Sequence, residues 1–243
     1  MTVTLKVIIF ILFLIVPGRA DRISFAADLA VVADREFETT VTALRKSLDF
    51  VVLRGKELHR ELCRYPRLLI LGPESYLRTK DLSCPGQKRY LGGVLYPDLL
   101  GIPEGVRLIS PLPCCKLLSH FGSAWLVISS GYLDYYLHYL RGCFSIREFR
   151  VKTPYELAQL MPKLRQALRE GFSLLLLPDP VLVSQKARLF LRELLSREAP
   201  KGIDLVGIPQ SPLPSPPFVP EEYARTIVEA LNKDTSVYYG GPQ

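Results

Sequence analysis

Hydroxyl groups follow two of the apolar runs in this sequence, at positions where they can bind an anion. Ser129, Ser130 and Gly131 come directly after one run and open a helical pattern. Ser75 follows a Gly-Pro turn after an earlier run. Free N–H groups at the start of a helix, together with nearby hydroxyls, suit the carboxylate of a small ligand. A plain Ser-Gly turn with a helix cap explains the same residues, so both interpretations stay open.

Two aspartates and two tyrosines supply groups that complement these hydroxyls. Asp179 lies between two prolines, where it can accept an ammonium or hydroxyl group of a ligand or can cap the next helix. Asp34 closes the first apolar run, and it is either a ligand-binding residue or the N-cap of a helix at Phe37–Leu48. Tyr96, at a strand end, and Tyr132, near a helix start, can form aromatic walls of a ligand site.

No combination of residues indicates catalysis. The chain has no Gly-x-Ser-x-Gly elbow, P-loop, Gly-x-Gly-x-x-Gly turn or His-Glu-x-x-His motif. Its three histidines are isolated and no Cys-x-x-Cys pair is present, so we expect no metal site and no cofactor. The formal charge of +7 is spread along the chain, which argues against nucleic acid as a partner. The sequence predicts a protein that binds rather than an enzyme.

The first twenty residues have the pattern of a secretory signal peptide. Lys6 precedes an apolar run from Val7 to Val16, and small residues follow at Gly18 and Ala20. This run is too short for a membrane-spanning helix, which needs about 20 apolar residues. We therefore expect cleavage near Ala20 and a periplasmic or secreted location.

Five cysteines then belong to an oxidising compartment, namely Cys63, Cys84, Cys114, Cys115 and Cys143. An odd number leaves at least one of them unpaired. One of the two adjacent cysteines can pair with Cys84 or Cys143, and the spacing does not choose between these connectivities. Buried thiols are the preferred interpretation.

Short apolar runs alternate with amphipathic helical patterns, which predicts parallel sheets covered by helices. The predicted strands are Leu29–Ala33, Phe50–Leu53, Leu68–Leu71, Tyr90–Tyr96, Trp125–Ile128, Phe144–Val151, Leu174–Leu177 and Ile203–Ile208. The stretch from Pro97 to Pro113 is rich in Pro and Gly and is expected to be irregular. A capping box at Thr153 begins a helix, and Pro162 is expected to break it, leaving a helix from there to about residue 170.

Two successive α/β halves predict a bilobal α/β protein, with two doubly wound parallel-sheet lobes and a hinge. We expect the signal peptide at 1–20, an N-terminal lobe at 21–115 and a C-terminal lobe at 116–210. A proline-rich linker and a last helix are expected at 211–243. In such sheets ligands sit outside the carboxyl ends of the strands, so two facing lobes can close on a small molecule.

The segment Gly171–Pro180, which ends in Leu-Leu-Leu-Leu-Pro-Asp-Pro, is followed by the helical pattern Val183–Ser196. This order resembles the late strand, Pro-Asp-Pro turn and helix of ABC-transporter substrate-binding proteins of the type I periplasmic-binding fold. The similarity is to the branch that binds tryptophan or tyrosine, and it covers roughly residues 28–208. Three further segments agree in order and spacing, namely Leu68–Ser75, Gly105–Leu108 and Trp125–Gly131.

The resemblance implies a protein that captures an amino acid or a small organic anion and hands it to an ABC permease in the inner membrane. The chain departs from the family pattern after its last predicted strand, where a proline-rich stretch and one helix replace a longer return to the first lobe. Its Gly-Pro-Glu-Ser turn also differs from the small, polar turn expected at the first-lobe ligand site. A second hypothesis is therefore a divergent member that serves as a periplasmic interaction or sensory module, its cleft occupied by its own side chains.

Overall fold

Two parallel sheets form the framework of the computed structural model, which describes residues 27–198, 200–205, 208 and 211–240. The predicted signal peptide lies outside these residues. The strands are β1 (Leu29–Ala33), β2 (Val51–Val52), β3 (Arg67–Leu71), β4 (Lys88–Gly92), β5 (Arg107–Pro113), β6 (Ala124–Ser129), β7 (Ser145–Arg150), β8 (Ser173–Leu176), β9 (Gly202–Asp204) and β10 (Val237–Tyr239). The first sheet has the order β2-β1-β3-β4-β5-β10 and the second the order β7-β6-β8-β9.

Helices connect the strands and cover both faces of each sheet. They are α1 (Glu38–Leu44), α2 (Lys56–Glu61), α3 (Pro73–Thr79), α4 (Pro97–Leu100), α5 (Cys115–Leu118), α6 (Asp134–Arg141), α7 (Pro154–Arg169), α8 (Gln185–Glu198) and α9 (Pro220–Lys233). Within the described part of the chain, none of these helices combines the length and the apolar character that crossing a bilayer requires.

Strand β1 shows why the first sheet is buried on both faces. Leu29 and Val31 pack in a core that includes Ile227 of α9, whereas Ala30 and Val32 pack in a second core with Leu58 of α2. Successive side chains of a strand point to opposite faces, so only a strand that is apolar at every position can serve both cores. The predicted doubly wound fold is confirmed for this lobe.

The second lobe repeats the arrangement around β8. Leu174 and Leu176 share a core with α7 and α8, while Leu175 shares another with Trp125 and with Leu137 of α6. Strand β8 lies between β6 and β9, and its pairing with both is parallel. The run of four leucines is therefore a central strand, as the sequence predicts.

Strand β5 occupies a stretch that was predicted to be irregular. Its pairing with β4 ends at Ile109, which lies beside Gly92, so Pro111 and Pro113 fall beyond the last pair on that side. A proline that lacks an N–H is tolerated there because no ladder bond from β4 is lost. The prediction of an irregular segment is wrong for residues 107–113.

The return to the first lobe is fuller than predicted. After α9, whose apolar face packs against α1, the chain adds β10 beside β5 at the edge of the first sheet. This strand has only three residues, Val237–Tyr239, which is too short for a periodicity to be visible. The prediction that the chain ends in one helix with no further strand is therefore wrong.

Pro162 does not break the helix that contains it. Helix α7 is continuous over 16 residues, and the Thr153 hydroxyl accepts the N–H of Glu156 at its start, which confirms the predicted capping box. Leu157 and Leu164 are fully buried on the helix face that contacts the second sheet. Because this burial outweighs the one backbone bond that Pro162 removes, the helix persists through the proline.

Four of the five cysteines form disulfides, so the preference for buried thiols is wrong. Cys63 pairs with Cys84, and Cys115 pairs with Cys143, with Cα–Cα distances of 5.2 and 6.2 Å. Cys114 is buried and has a free thiol. The Cys114 sulfur lies near Gly240, whereas the adjacent Cys115 pairs with Cys143.

Candidate ligand-binding site

Asp34, at the carboxyl end of β1, fills the turn that follows the neighbouring strand β3. Its carboxylate accepts the backbone N–H groups of Glu74 (3.0 Å) and Ser75 (2.7 Å) and the Ser75 hydroxyl (2.6 Å). Arg78 donates to the same carboxylate at 3.2 Å. The Asp34 side chain makes no capping hydrogen bond to the helical turn that follows it, Arg35–Phe37. The structure thus brings together two predicted site residues, Asp34 and Ser75, in a contact across strands.

Gly72 permits this contact. Its φ is +98°, a conformation that side chains other than glycine's rarely adopt, and a Cβ atom there would lie 2.1 Å from Oδ2 of Asp34. Any larger residue would displace the carboxylate from the Glu74 and Ser75 N–H groups. The Gly-Pro-Glu-Ser turn is therefore shaped for an aspartate of the same chain.

Asp179 makes the equivalent contact in the second lobe, where it is fully buried. Its carboxylate accepts the N–H of Ser130 (2.9 Å), the Ser130 hydroxyl (2.5 Å) and the N–H of Val181 (2.9 Å). The neighbouring Ser129 hydroxyl accepts the N–H of Gly131 at 3.0 Å. The N–H and the hydroxyl of Ser130, which the sequence analysis assigns to a ligand carboxylate, thus both donate to Asp179.

The turn that Asp34 contacts in the first lobe and the turn that Asp179 contacts in the second have the same arrangement. In each, an aspartate at the end of one strand lies on backbone N–H groups and a serine hydroxyl that follow the adjacent strand. A ligand carboxylate would have to displace Asp34 or Asp179, because two carboxylates in one buried turn repel each other. The ligand-binding role of Asp34, Ser75, Ser129, Ser130, Gly131 and Asp179 stays a prediction.

Tyr96 and Tyr132, the two predicted aromatic walls, meet where the lobes touch. The Tyr96 hydroxyl donates to the carbonyl of Pro178, and its ring lies edge-on to that of Tyr132, with 6.2 Å between centroids. Burial raises the pKa of Tyr96, and the negative charge of Asp179 raises it further. Tyr135 adds a second link between lobes, since its hydroxyl donates to the carbonyl of Leu95 at 3.2 Å.

A second tyrosine contact lies between α6 and β10. The rings of Tyr139 and Tyr238 stack with their centroids 3.7 Å apart, and the buried Tyr136 donates its hydroxyl to the carbonyl of Pro113 at 2.7 Å. Burial, and then proximity to Tyr139, raises the pKa of Tyr238 to about 12. The lobes are therefore held together by tyrosines that must stay protonated.

This contact predicts a loss of stability at alkaline pH. The Tyr238 pKa is about 12 in the folded chain and about 10 in an unfolded one, so the stabilisation is complete below pH ~10 and falls as the pH rises toward 12. At pH 11 the free energy of unfolding should fall by roughly 1 kcal/mol through Tyr238 alone. Urea titrations at pH 9, 10 and 11 measure this fall.

Tyr238→Phe removes the ionisable hydroxyl and should therefore lessen the alkaline loss of stability. Equal alkaline losses in the wild type and Tyr238→Phe would contradict the assignment.

A cavity of about 470 Å³ opens at the carboxyl ends of the first sheet's strands. Leu205, which follows β9 of the second sheet, forms one side. Another side is formed by Pro216, Pro217 and Phe218, which belong to the stretch before α9 (residues 211–219, the returning segment). The volume suits a small molecule, and most of the wall is apolar. The remaining described residues that line it are Glu36, Phe37, Gly93, Leu95, Pro111, Pro113 and Tyr239.

The Phe37 ring forms one wall of the cavity and lies close to Gly93, in the turn after β4. A Cβ atom at Gly93 would lie 2.1 Å from the Phe37 ring, and the φ of Gly93 is +72°. The Tyr223 hydroxyl accepts the Gly93 N–H at 2.7 Å and donates to the carbonyl of Ile109 at 2.7 Å. This part of the cavity is therefore fixed by α9, the helix that returns from the second lobe.

Residues of β10 and α9 hold the Phe218 side chain, which forms another wall of the cavity. The Phe218 ring stacks on the Tyr239 ring, with 5.6 Å between centroids. The Tyr239 hydroxyl donates to the carboxylate of Glu222 at 2.7 Å and accepts the N–H of Val219 at 3.2 Å. The proline-rich segment is thus part of a ligand-sized cavity as well as a connection.

None of the eight predicted site residues lines this cavity. In the sequence analysis Phe37 is the first residue of a predicted amphipathic helix, and Phe218 belongs to a predicted proline-rich linker. The Gly92-Gly93 doublet is the one local feature of the sequence that indicates this cavity, because glycine at a strand end marks a close approach of other atoms.

The sequence matches no family model and no curated protein. Its fold is similar to those of solved structures, among them the ligand-free, open structure of a substrate binding protein with adhesive properties from Clostridium difficile, at 11% identity and a TM-score of 0.50. That alignment covers 87% of this chain and 88% of the other.

Two further structures align over 88% of this chain and 90% of their own. One is an ABC domain in complex with L-Trp from Streptococcus pneumonia, at 7% identity and a TM-score of 0.40. The other is a carbohydrate transporter from Acidothermus cellulolyticus in complex with myo-inositol, at 10% identity and a TM-score of 0.33. The first of the three structures, together with the two parallel sheets, confirms the predicted fold class: this chain has an α/β fold with two parallel-sheet lobes, similar to the fold of that substrate binding protein.

Proposed function

We propose that this chain is an exported solute-binding protein that captures a small ligand between its lobes and delivers it to an ABC permease of the inner membrane. The observation that supports this most strongly is the cavity bounded by Phe37, Leu205 and Phe218. Its walls come from the first lobe, the second lobe and the returning segment. A molecule bound there contacts both lobes and favours their closed arrangement, without any bond being made or broken.

The cavity walls indicate the chemistry of the ligand. Aromatic and proline side chains favour an apolar or aromatic body. Among the described lining residues Glu36 is the one carboxylate and no cation is present, so a charged ligand would present an amine. An amino acid can bind in this way through its side chain and its amine, with its carboxylate directed to solvent.

The disulfides support export. Cys63–Cys84 and Cys115–Cys143 persist in the periplasm or outside the cell, whereas the cytosol keeps thiols reduced. Together with the signal pattern predicted at 1–20, they favour a periplasmic or secreted location.

A thermal-shift screen of amino acids, aromatic amines and small neutral aromatics tests this function. A ligand at one hundred times its Kd should raise the melting temperature by about 5–10 °C, because binding to the folded state alone adds about 2.7 kcal/mol. Phe218→Ala should abolish most of this shift. Phe121→Ala is the matched control, since Phe121 is similarly exposed (42% against 47%) and lies outside the cavity.

A flat screen on a cooperatively folding protein, or an equal loss of the shift in both variants, would contradict the proposal. The second candidate, an interaction or sensory module without a transport ligand, is favoured by one observation: Asp34 and Asp179 already occupy the turns predicted to bind a carboxylate. It predicts no ligand-induced shift and a defined partner that co-purifies from periplasmic extract.

A further inference from the structure

A second cavity of about 470 Å³ lies in the second lobe, between α8 and the returning segment. Leu176, the last residue of β8, Leu191 of α8 and Ser211 of the returning segment are among the residues that line it. Its described lining shares no residue with the cavity at Phe37 and Phe218. It is therefore a separate binding volume.

The two charged side chains that line this cavity are both positive. Arg188 and Arg192 both line it, and they are four residues apart on α8, so they lie on one face of the helix. None of the described lining residues is acidic. Arg192 forms no ion pair with any described residue, whereas Arg197 of the same helix pairs with Glu193 at 3.0 Å. A guanidinium beside an apolar volume favours an anionic group of a ligand.

The rest of the lining is apolar with two neutral polar groups. Leu176, Leu191 and Ile208 are almost fully buried, and Leu189 at the rim is 59% exposed. Gln185 adds an amide at the start of the helix. A ligand that fits must therefore combine one anionic head with a short hydrocarbon body.

We propose that this cavity is a second ligand site, which binds a small organic acid. The carboxylate lies against Arg192, with the positive charge of Arg188 one helical turn away, and the hydrocarbon part lies on Leu176, Leu191 and Ile208. This assignment does not depend on the proposed function, because the two cavities have separate walls.

Calorimetric titration of the full chain with hexanoate tests the proposal. Arg192→Gln should weaken hexanoate binding about tenfold, since a hydrogen bond to a charged group contributes on that scale. Arg197→Gln, an equally conservative change on the same helix outside the cavity, should leave the affinity unchanged. Hexanol, which has the same chain without the charge, should bind at least tenfold more weakly.

Three results would overturn the proposal: no heat with millimolar hexanoate, equal affinities for hexanoate and hexanol, or equal losses in the two arginine variants. Phe218→Ala separates the two cavities. It should abolish the thermal shift of the first site and leave hexanoate binding intact, so that either site can fail alone.

Discussion

Replacing Asp179 with alanine is expected to lower the free energy of unfolding by about 4 kcal/mol. The side chain is fully buried, and its removal leaves the N–H groups of Ser130 and Val181 and the Ser130 hydroxyl without their acceptor. Each buried donor that loses its partner costs about 1–3 kcal/mol. Urea denaturation followed by circular dichroism measures the change.

Two variants make the result interpretable. Asp179→Asn keeps one oxygen as an acceptor and should cost about half as much. Asp98→Ala removes an exposed carboxylate and should change stability by less than about 0.5 kcal/mol. If Asp179→Ala were as stable as the wild type, the carboxylate would not be a structural part of the turn, and the Ser130 donors would be available to a ligand.

Removing the Cys63–Cys84 disulfide by a double alanine substitution is expected to cost about 3 kcal/mol. The bond joins residues 21 positions apart and encloses β3 and α3, so its loss releases this segment in the unfolded chain. The Cys115–Cys143 bond closes a segment of 28 positions and should contribute about as much. Urea denaturation of the Cys63→Ala/Cys84→Ala and Cys115→Ala/Cys143→Ala variants measures the two contributions separately.

Thiol counting checks the connectivity directly. The unfolded protein should show one reactive thiol, Cys114, before reduction and five afterwards. Cys114→Ala is the control, because it removes a buried thiol and no cross-link. Three or five thiols before reduction would contradict one or both disulfides.

The central strands are predictable from sequence because burial on both faces leaves an unbroken apolar run. Leu68–Leu71 and Leu174–Leu177 are such runs, and the strands lie at them within one or two residues. Strand β5 is missed because Pro111 and Pro113 resemble a loop, although the pairing with β4 ends before them and needs no N–H donor at these positions. Strand β10 is missed because pairing with β5, rather than its own pattern, makes it a strand.

The candidate site is less predictable because its contacts cross between strands. The sequence identifies Asp34, Ser75, Ser130 and Asp179 as polar groups at strand ends, but their pairing depends on strand order. The Phe37 and Phe218 walls come from opposite ends of the chain. No local pattern shows that β10 and α9 bring them together.

The strand order also sets a sequence of events during folding. Strands β6–β9 of the second sheet come from one continuous stretch, 124–204, so this sheet can pair as soon as the stretch is available. The first lobe must wait for the end of the chain, because Leu108 bonds to Ser236, 128 residues later, and Tyr223 completes its core. Contacts this distant in sequence form slowly, and until they form β5 is an open edge. A chain that lost its last twenty-five residues would keep every strand of the second sheet and expose an unfinished first lobe to aggregation and proteolysis.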